Sequence, residues 1–205
     1  MTESAAEFWD RRYRDEKQLW AAGPNDLLLE LVDGLAPGRA LDIGAGEGRN
    51  ALGLSKRGWR VTALDISRVA LGRAAQRAGV EGLELDCVVG DWREYLPGPR
   101  IDLAVISFMH PGPDERAVMF ARAAEALVPG GHLFTVGVDL SEHGRRGPSD
   151  ADRLYTPERL REALAGLELA RCESVAYQGQ STHGPRPVVD GVAVGRRPAA
   201  GRAGR

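Results

Sequence analysis

Three glycines at alternate positions, Gly44, Gly46 and Gly48, lie in the segment ALDIGAGEGRN over residues 40–50, between an apolar run ending in the acid Asp42 and the start of a helical pattern. Glycine permits positive φ and carries no Cβ, so such a turn can bring backbone N–H groups close to a ligand at a helix N-terminus, where the dipole favours negative charge. A dinucleotide-binding fingerprint needs glycine where Arg49 stands, and a P-loop needs Gly-Lys followed by Ser or Thr, which is absent. Two further acids close strand-like runs. Asp65 ends one of them, 17 residues after Gly48, where a carboxylate accepts from both hydroxyls of a ribose, a geometry that dinucleotide folds share. Asp91 follows the next, in Gly90-Asp91-Trp92. His110, in ISFMHPGP over residues 106–113, is the titratable group at the end of a fourth run; it reads either as a base or substrate contact, or as a histidine that shapes a turn before proline.

These residues need a frame, and the chain alternates two kinds of segment. RALDI (39–43), WRVTALD (59–65), LELDCVV (83–89), IDLAVISF (101–108) and HLFTVGV (132–138) are short and apolar, as buried parallel strands are. Helical periodicity links them, with one apolar face expected along Ala117, Phe120, Ala121, Ala124 and Leu127 and another along Leu160, Ala163, Leu164 and Leu167. Ser67 is placed to cap one helix, and Thr156 with Pro157 to start another. Segments 167–178 and 187–197 have no helix between them, which predicts an antiparallel hairpin. The fold class is therefore α/β, a doubly wound, seven-stranded, mostly parallel sheet with a C-terminal antiparallel hairpin, binding its ligand at the carboxyl ends of the strands.

Composition removes several classes of function. With 27 Lys+Arg against 29 Asp+Glu the net charge is −2, a poor match to a nucleic-acid surface. No apolar run approaches the roughly 20 residues of a membrane span, and the start MTESAAEFWD lacks the basic and apolar regions of a secretory signal, so a cytoplasmic location is expected. The four histidines and two cysteines show no metal-ligand spacing, and no metal site is expected. Cys87 and Cys172 are expected to be buried thiols. His143 and His183 read as loop residues.

The glycine loop, Asp65, Gly90-Asp91-Trp92 and PGGHLFTV (129–136) together resemble the class I S-adenosylmethionine-dependent methyltransferases, over roughly residues 38–197. The resemblance implies a Rossmann-like methyltransferase fold that binds S-adenosylmethionine through Asp42, Gly44, Gly46, Gly48, Asp65, Ile66, Asp91 and Trp92. Asp65 would take the ribose, and Asp91 the adenine amino group. Arg49 would either pair with the cofactor's carboxylate or face solvent. FWDRRY (8–13), Trp20, Pro24-Asn25 and LYTPERL (154–160) are similar to small bacterial methyltransferases of the tellurite-resistance and thiopurine S-methyltransferase type. There an N-terminal aromatic segment folds over the cofactor. Trp9, Tyr13 and Trp20 would form such a lid here, or would only dock the first helix on the sheet. The expected division is a helical cap over residues 1–36, a cofactor-binding domain over 37–197 and a disordered tail over 198–205. The acceptor implied is a small molecule with a thiol, chalcogen or hydroxyl nucleophile, with no nucleic-acid or membrane partner. A non-catalytic cofactor-binding regulator or scaffold is the alternative.

Overall fold

The computed structural model describes residues 3–17, 23–95, 97, 100–179 and 186–199. Seven strands form one sheet in the order β3-β2-β1-β4-β5-β7-β6. They are β1 (Arg39–Ile43), β2 (Arg60–Asp65), β3 (Asp86–Val89), β4 (Ile101–Ser107), β5 (Leu127–Val138), β6 (Glu168–Gly179) and β7 (Arg186–Arg196). The helices are α1 (Ala5–Asp15), α2 (Asp26–Val32), α3 (Arg49–Ser55), α4 (Arg68–Glu81), α5 (Pro113–Ala126) and α6 (Pro157–Ala163). β1, β2 and β3 pair in parallel, whereas β7 pairs antiparallel with both β5 and β6. This is the doubly wound sheet with a terminal hairpin that the strand pattern predicts. No helix among the described residues is long and apolar enough to cross a membrane.

Two compact units are distinguished, residues 1–105 and 106–205. In the first, Ala40, Leu41, Ile43, Val61, Ala63 and Leu64 fill the core from β1 and β2, against Leu52 and Leu54 of α3 and Ala70, Leu71 and Ala74 of α4. Ser67 caps α4 as expected, its Oγ accepting from the Ala70 N–H at 3.1 Å. The strand predicted from residue 83 begins only at Asp86, because the Leu83 N–H bonds back to the Ala78 carbonyl at 2.9 Å around a left-handed Gly82 and so still belongs to the end of α4.

In the second unit Thr156 and Pro157 start α6 as expected. β5 begins five residues earlier than predicted. Its first part extends the pairing with the last strand beyond Arg196, through Gly130 N–H to Arg197 O at 2.9 Å and Arg197 N–H to Gly131 O at 2.8 Å. The apolar face assigned to α5 is corrected by one position. Ala117 and Ala121 are exposed, and the buried face is Arg116, Met119, Phe120, Ala123 and Ala126. Arg116 is a charged residue on this buried face. Its guanidinium donates to the Asp152 carbonyl at 3.0 Å and lies over the Tyr155 ring at 6.0 Å, so its charge is satisfied on the inner face. Cys87 and Cys172 are free thiols, half-buried rather than buried. The polar loop over residues 180–185, with His183, and the tail from residue 200 lie outside the described residues.

Candidate functional site

β1 delivers Asp42 to the start of the glycine loop, and all three glycines there have positive φ: 70° at Gly44, 55° at Gly46 and 75° at Gly48. Gly48 has a second constraint, since a Cβ on it would stand 2.7 Å from the Cβ of Ala74 in α4. The loop's N–H groups turn inward more than the glycine pattern suggests. Gly44 and Ala45 donate to the Leu64 carbonyl at 2.8 and 3.0 Å, and Gly48 donates to Ala45 at 2.9 Å. Gly46 donates to Asp65 Oδ2 at 2.8 Å, while Asp65 Oδ1 accepts from the Ser67 N–H at 2.8 Å. Asp65 thus ties the glycine loop to the end of β2. Each of its oxygens keeps a second lone pair for a hydroxyl donor. Burial raises its pKa above the usual carboxylate range, against the pull of the Ser67, Gly46 and Ile66 N–H groups. Ile66, next in the chain, is half-buried.

Asp42 is 1% exposed, and its Oδ2 has no hydrogen-bond partner among the described residues. Burial pushes its pKa up from 3.8 to about 7, opposed by the Arg49 charge and the Ala51 N–H in the first turn of α3. Arg49 is accordingly half-buried beside this carboxyl, not simply solvent-facing. A buried, orphaned carboxylate oxygen is a site for a cationic donor. S-adenosylmethionine, with an ammonium group, two ribose hydroxyls and an adenine amine, fits a loop flanked by three carboxylates. Asp91 is held by Arg93, whose Nη1 lies 3.1 and 2.9 Å from its two oxygens, and the same guanidinium covers the Trp92 ring at 4.6 Å. An adenine amine at Asp91 would share it with that arginine.

The N-terminal helix is seated on this unit by a contact that sequence spacing does not reveal. Asp10 Oδ1 accepts from Ser67 Oγ at 2.6 Å and from the Val69 N–H at 3.1 Å, pinning α1 to the residues just past Asp65. On α1, Tyr13 is 4% exposed, and the Trp9 and Tyr13 rings lie 6.2 Å apart. Arg12 lies 5.5 Å from the Trp9 ring. Trp20 falls outside the described residues. Two further contacts brace the loop. Glu47 pairs with Arg73 at 2.8 Å, and the buried Asn50 accepts from the Asn25 N–H at 2.9 Å through Oδ1. Pro24 fills the space that a side chain on Gly53 would take, at 2.7 Å. Pro24 and Asn25, legible only as part of a family pattern, therefore have local structural reasons.

In the second unit, His110 is held through both ring nitrogens. Its Nδ1 is 3.0 Å from the Arg153 carbonyl, and its Nε2 accepts from the Val138 N–H at 3.3 Å. That pair fixes the neutral tautomer with the proton on Nδ1 and leaves no free ring lone pair. Burial lowers its pKa to about 4, with Arg146, Arg116 and Arg153 adding to the shift. His110 ties the end of β4 to the loop before α6, packed on Tyr155 at 5.1 Å. Tyr155 is the hub there: it is fully buried, donates to the Met109 carbonyl at 2.6 Å, and occupies the space above Gly137 and Gly191. His143 sits on its own loop, Nε2 at 2.9 Å from the Ser149 carbonyl.

Comparison with known proteins identifies the family. A methyltransferase domain family matches residues 40–131. The chain is 30% identical over 166 residues to a ubiquinone biosynthesis O-methyltransferase of Idiomarina loihiensis, covering 72% of this chain and 67% of that protein. It is 31% identical over 170 residues to a release factor glutamine methyltransferase of Bordetella pertussis, spanning 72% of this chain but 63% of that protein. Among solved structures, one from work on the conversion of a disulfide bond into a thioacetal group during echinomycin biosynthesis matches with a TM-score of 0.80 and 22% identity, covering 98% of this chain and 95% of that one. TehB from Haemophilus influenzae matches with a TM-score of 0.72 and 16% identity, over 94% of this chain and 66% of that one. Sheet order, glycine loop and family match converge: the chain belongs to the class I S-adenosylmethionine-dependent methyltransferases, with S-adenosylmethionine as its cofactor.

Proposed function

We propose that this methyltransferase alkylates a small-molecule acceptor through a thiol or related chalcogen nucleophile, with a hydroxyl as the less favoured acceptor. The observation that carries the choice is the engaged imidazole of His110, which has no lone pair with which to deprotonate an acceptor. An alcohol needs such a base. A thiol, with a pKa of about 8.5, is already partly ionised near neutral pH and needs none. One comparison supports the reading, the likeness in fold to a protein from work on the conversion of a disulfide bond into a thioacetal group. The family's curated relatives differ in what they methylate.

When bound, S-adenosylmethionine supplies an electrophilic methyl group on a cationic sulfur, and its transfer to a thiolate neutralises both charges. The protein's part is to hold and to exclude water; alignment alone contributes roughly 7–11 kcal/mol in well-oriented systems. Asp65 would receive the ribose hydroxyls, with Ile66 and Trp92 beside the nucleoside. Asp91 would accept from the adenine amine, and Asp42 would meet the cationic end. Residues 1–36 act as a cap, with α1 fastened by Asp10 beside the ribose acid. The test is S-adenosylhomocysteine release from a panel of thiols, alcohols and amines. Turnover of thiols, with a rate that rises with pH until the thiol is ionised, supports the proposal. Turnover of amines or alcohols alone contradicts it, and no turnover of any acceptor by a cofactor-binding protein points to a regulator or scaffold.

A further inference from the structure

Ser67, in the turn between β2 and α4, is gripped from two sides by carboxylates. Its N–H donates to Asp65 Oδ1 at 2.8 Å, and its hydroxyl donates to Asp10 Oδ1 of α1 at 2.6 Å. Because the hydroxyl proton goes to Asp10, the Oγ lone pairs are left to accept the Ala70 N–H at 3.1 Å and so to cap α4. The same Asp10 oxygen accepts from the Val69 N–H at 3.1 Å, so a residue 59 positions away satisfies a second N–H in the first turn of α4. Ser67 is fully buried, and a partner lost there is not replaced by bulk water.

Asp10 is held ionised in this role. Burial raises its pKa, but the Ser67 and Val69 donors and the Arg14 and Arg68 charges together bring it below the usual carboxylate value. Its Oδ2 faces Arg14, one turn on in α1, at 3.5 Å. On the far side of Ser67, Asp65 Oδ2 accepts from the Gly46 N–H at 2.8 Å. One continuous chain of hydrogen bonds therefore runs from α1 through Asp10, Ser67 and Asp65 to the glycine loop, wholly within residues 1–105. A carboxyl turns about two torsions, and a donor on each oxygen fixes its plane. Without Asp10 the Ser67 hydroxyl loses its anchor, the turn loosens, and the plane in which Asp65 offers its remaining lone pairs is no longer fixed.

We propose that Asp10 is a positioning residue for the cofactor: acting through Ser67, it sets the orientation in which Asp65 meets the ribose. This rests on the ribose role given to Asp65 above, and the two fail separately. S-adenosylhomocysteine and its 2′,3′-dideoxy counterpart are titrated calorimetrically into the full chain. Wild type should prefer the hydroxylated compound by about tenfold or more. Asp10→Ala and Ser67→Ala should each weaken S-adenosylhomocysteine about fivefold, leave the dideoxy compound within about twofold, and together lose no more than either alone. Asp10→Asn keeps an oxygen able to accept from both Ser67 and Val69, and should restore most of the affinity. Arg11→Met, which breaks the exposed pair with Glu3 on the same helix, is the control and should change neither compound. Coupling is reciprocal, so S-adenosylhomocysteine should slow amide exchange across residues 5–15 of the wild type about fivefold, and the dideoxy compound should not. Equal binding of both compounds by wild type removes the ribose role of Asp65 and the positioning role with it. A wild-type preference that survives Asp10→Ala unchanged, an equal loss for both compounds, or unchanged exchange in α1 overturns the positioning role alone and leaves Asp10 as a bond that seats a helix. The exchange measurement uses only the wild type, so a variant that fails to fold does not remove the test.

Discussion

Replacing Asp42 by Asn should make the cofactor-free protein more stable while weakening its hold on S-adenosylmethionine. The carboxyl is buried, one of its oxygens is orphaned, and its pKa stands at about 7 instead of 3.8. At about 1.36 kcal/mol per pKa unit, ionising it inside the fold costs about 4 kcal/mol once the pH exceeds 7. The sign follows from proton binding: between pH 3.8 and about 7 the folded protein retains a proton that the unfolded chain has released. This group's contribution therefore falls as pH rises through that window and is level above it. Asparagine removes the ionisation but buries an amide with roughly 1–3 kcal/mol of its own desolvation. The net expectation at pH 8 is a gain of about 1–3 kcal/mol for Asp42→Asn, falling by about 4 kcal/mol across the window to a loss of about 1–3 kcal/mol near pH 4. Urea unfolding of both proteins across that range measures the difference directly, and all other titrating groups cancel in it. A pH-independent difference, or a variant less stable at pH 8, would refute the reasoning. Loss of cofactor affinity by about tenfold or more in the same variant would identify the strain as stability given up for binding.

Three other perturbations test separate parts of the account. Gly48→Ala places a Cβ 2.7 Å from Ala74 at a φ of 75°, and left-handed strain with overpacking should cost about 2–5 kcal/mol in urea unfolding; a loss below about 1 kcal/mol contradicts the packing. His110 has its pKa lowered to about 4, so the stability it contributes is complete above pH 6.5 and is lost as pH falls towards 4. His110→Gln should remove that dependence and leave the pH profile of kcat unchanged, whereas a vanished limb in the kcat profile would restore a catalytic role. Asp10→Ala severs the bonds to Ser67 and Val69, and amides of residues 5–15 should exchange faster while those of β1 and β2 stay protected. Unchanged exchange in α1 would show that aromatic packing alone seats the helix.

Legibility in the sequence followed distance along the chain. Strand runs ending in Asp42 and Asp65, the glycines with forced positive φ, and the caps at Ser67 and Thr156 are all set by neighbours within a few residues, and local chemistry is sufficient to read them. The α5 face is not legible in sequence because Arg116 counts as polar, and its guanidinium lies over Tyr155, a partner far along the chain. His110 gives no sign in sequence that both ring nitrogens are spent on backbone groups 28 and 43 residues away. Asp10 looks like any exposed helix acid, though it reaches across 57 residues to Ser67. Arg145 and Arg186 are two among many arginines. Only the fold shows that they share the single carboxylate of Glu142. The acid after each strand pointed to a cofactor; the acceptor depends on loops whose contacts are all long-range.

The most direct test of the central claim is calorimetric titration of the purified protein with S-adenosylmethionine, S-adenosylhomocysteine and NADH in parallel. The account predicts micromolar binding of the two sulfur compounds and none of NADH, since Arg49 occupies the position at which a dinucleotide loop needs its last glycine. Binding of NADH without either sulfur compound would contradict the assignment of the glycine loop and of all three carboxylates around it.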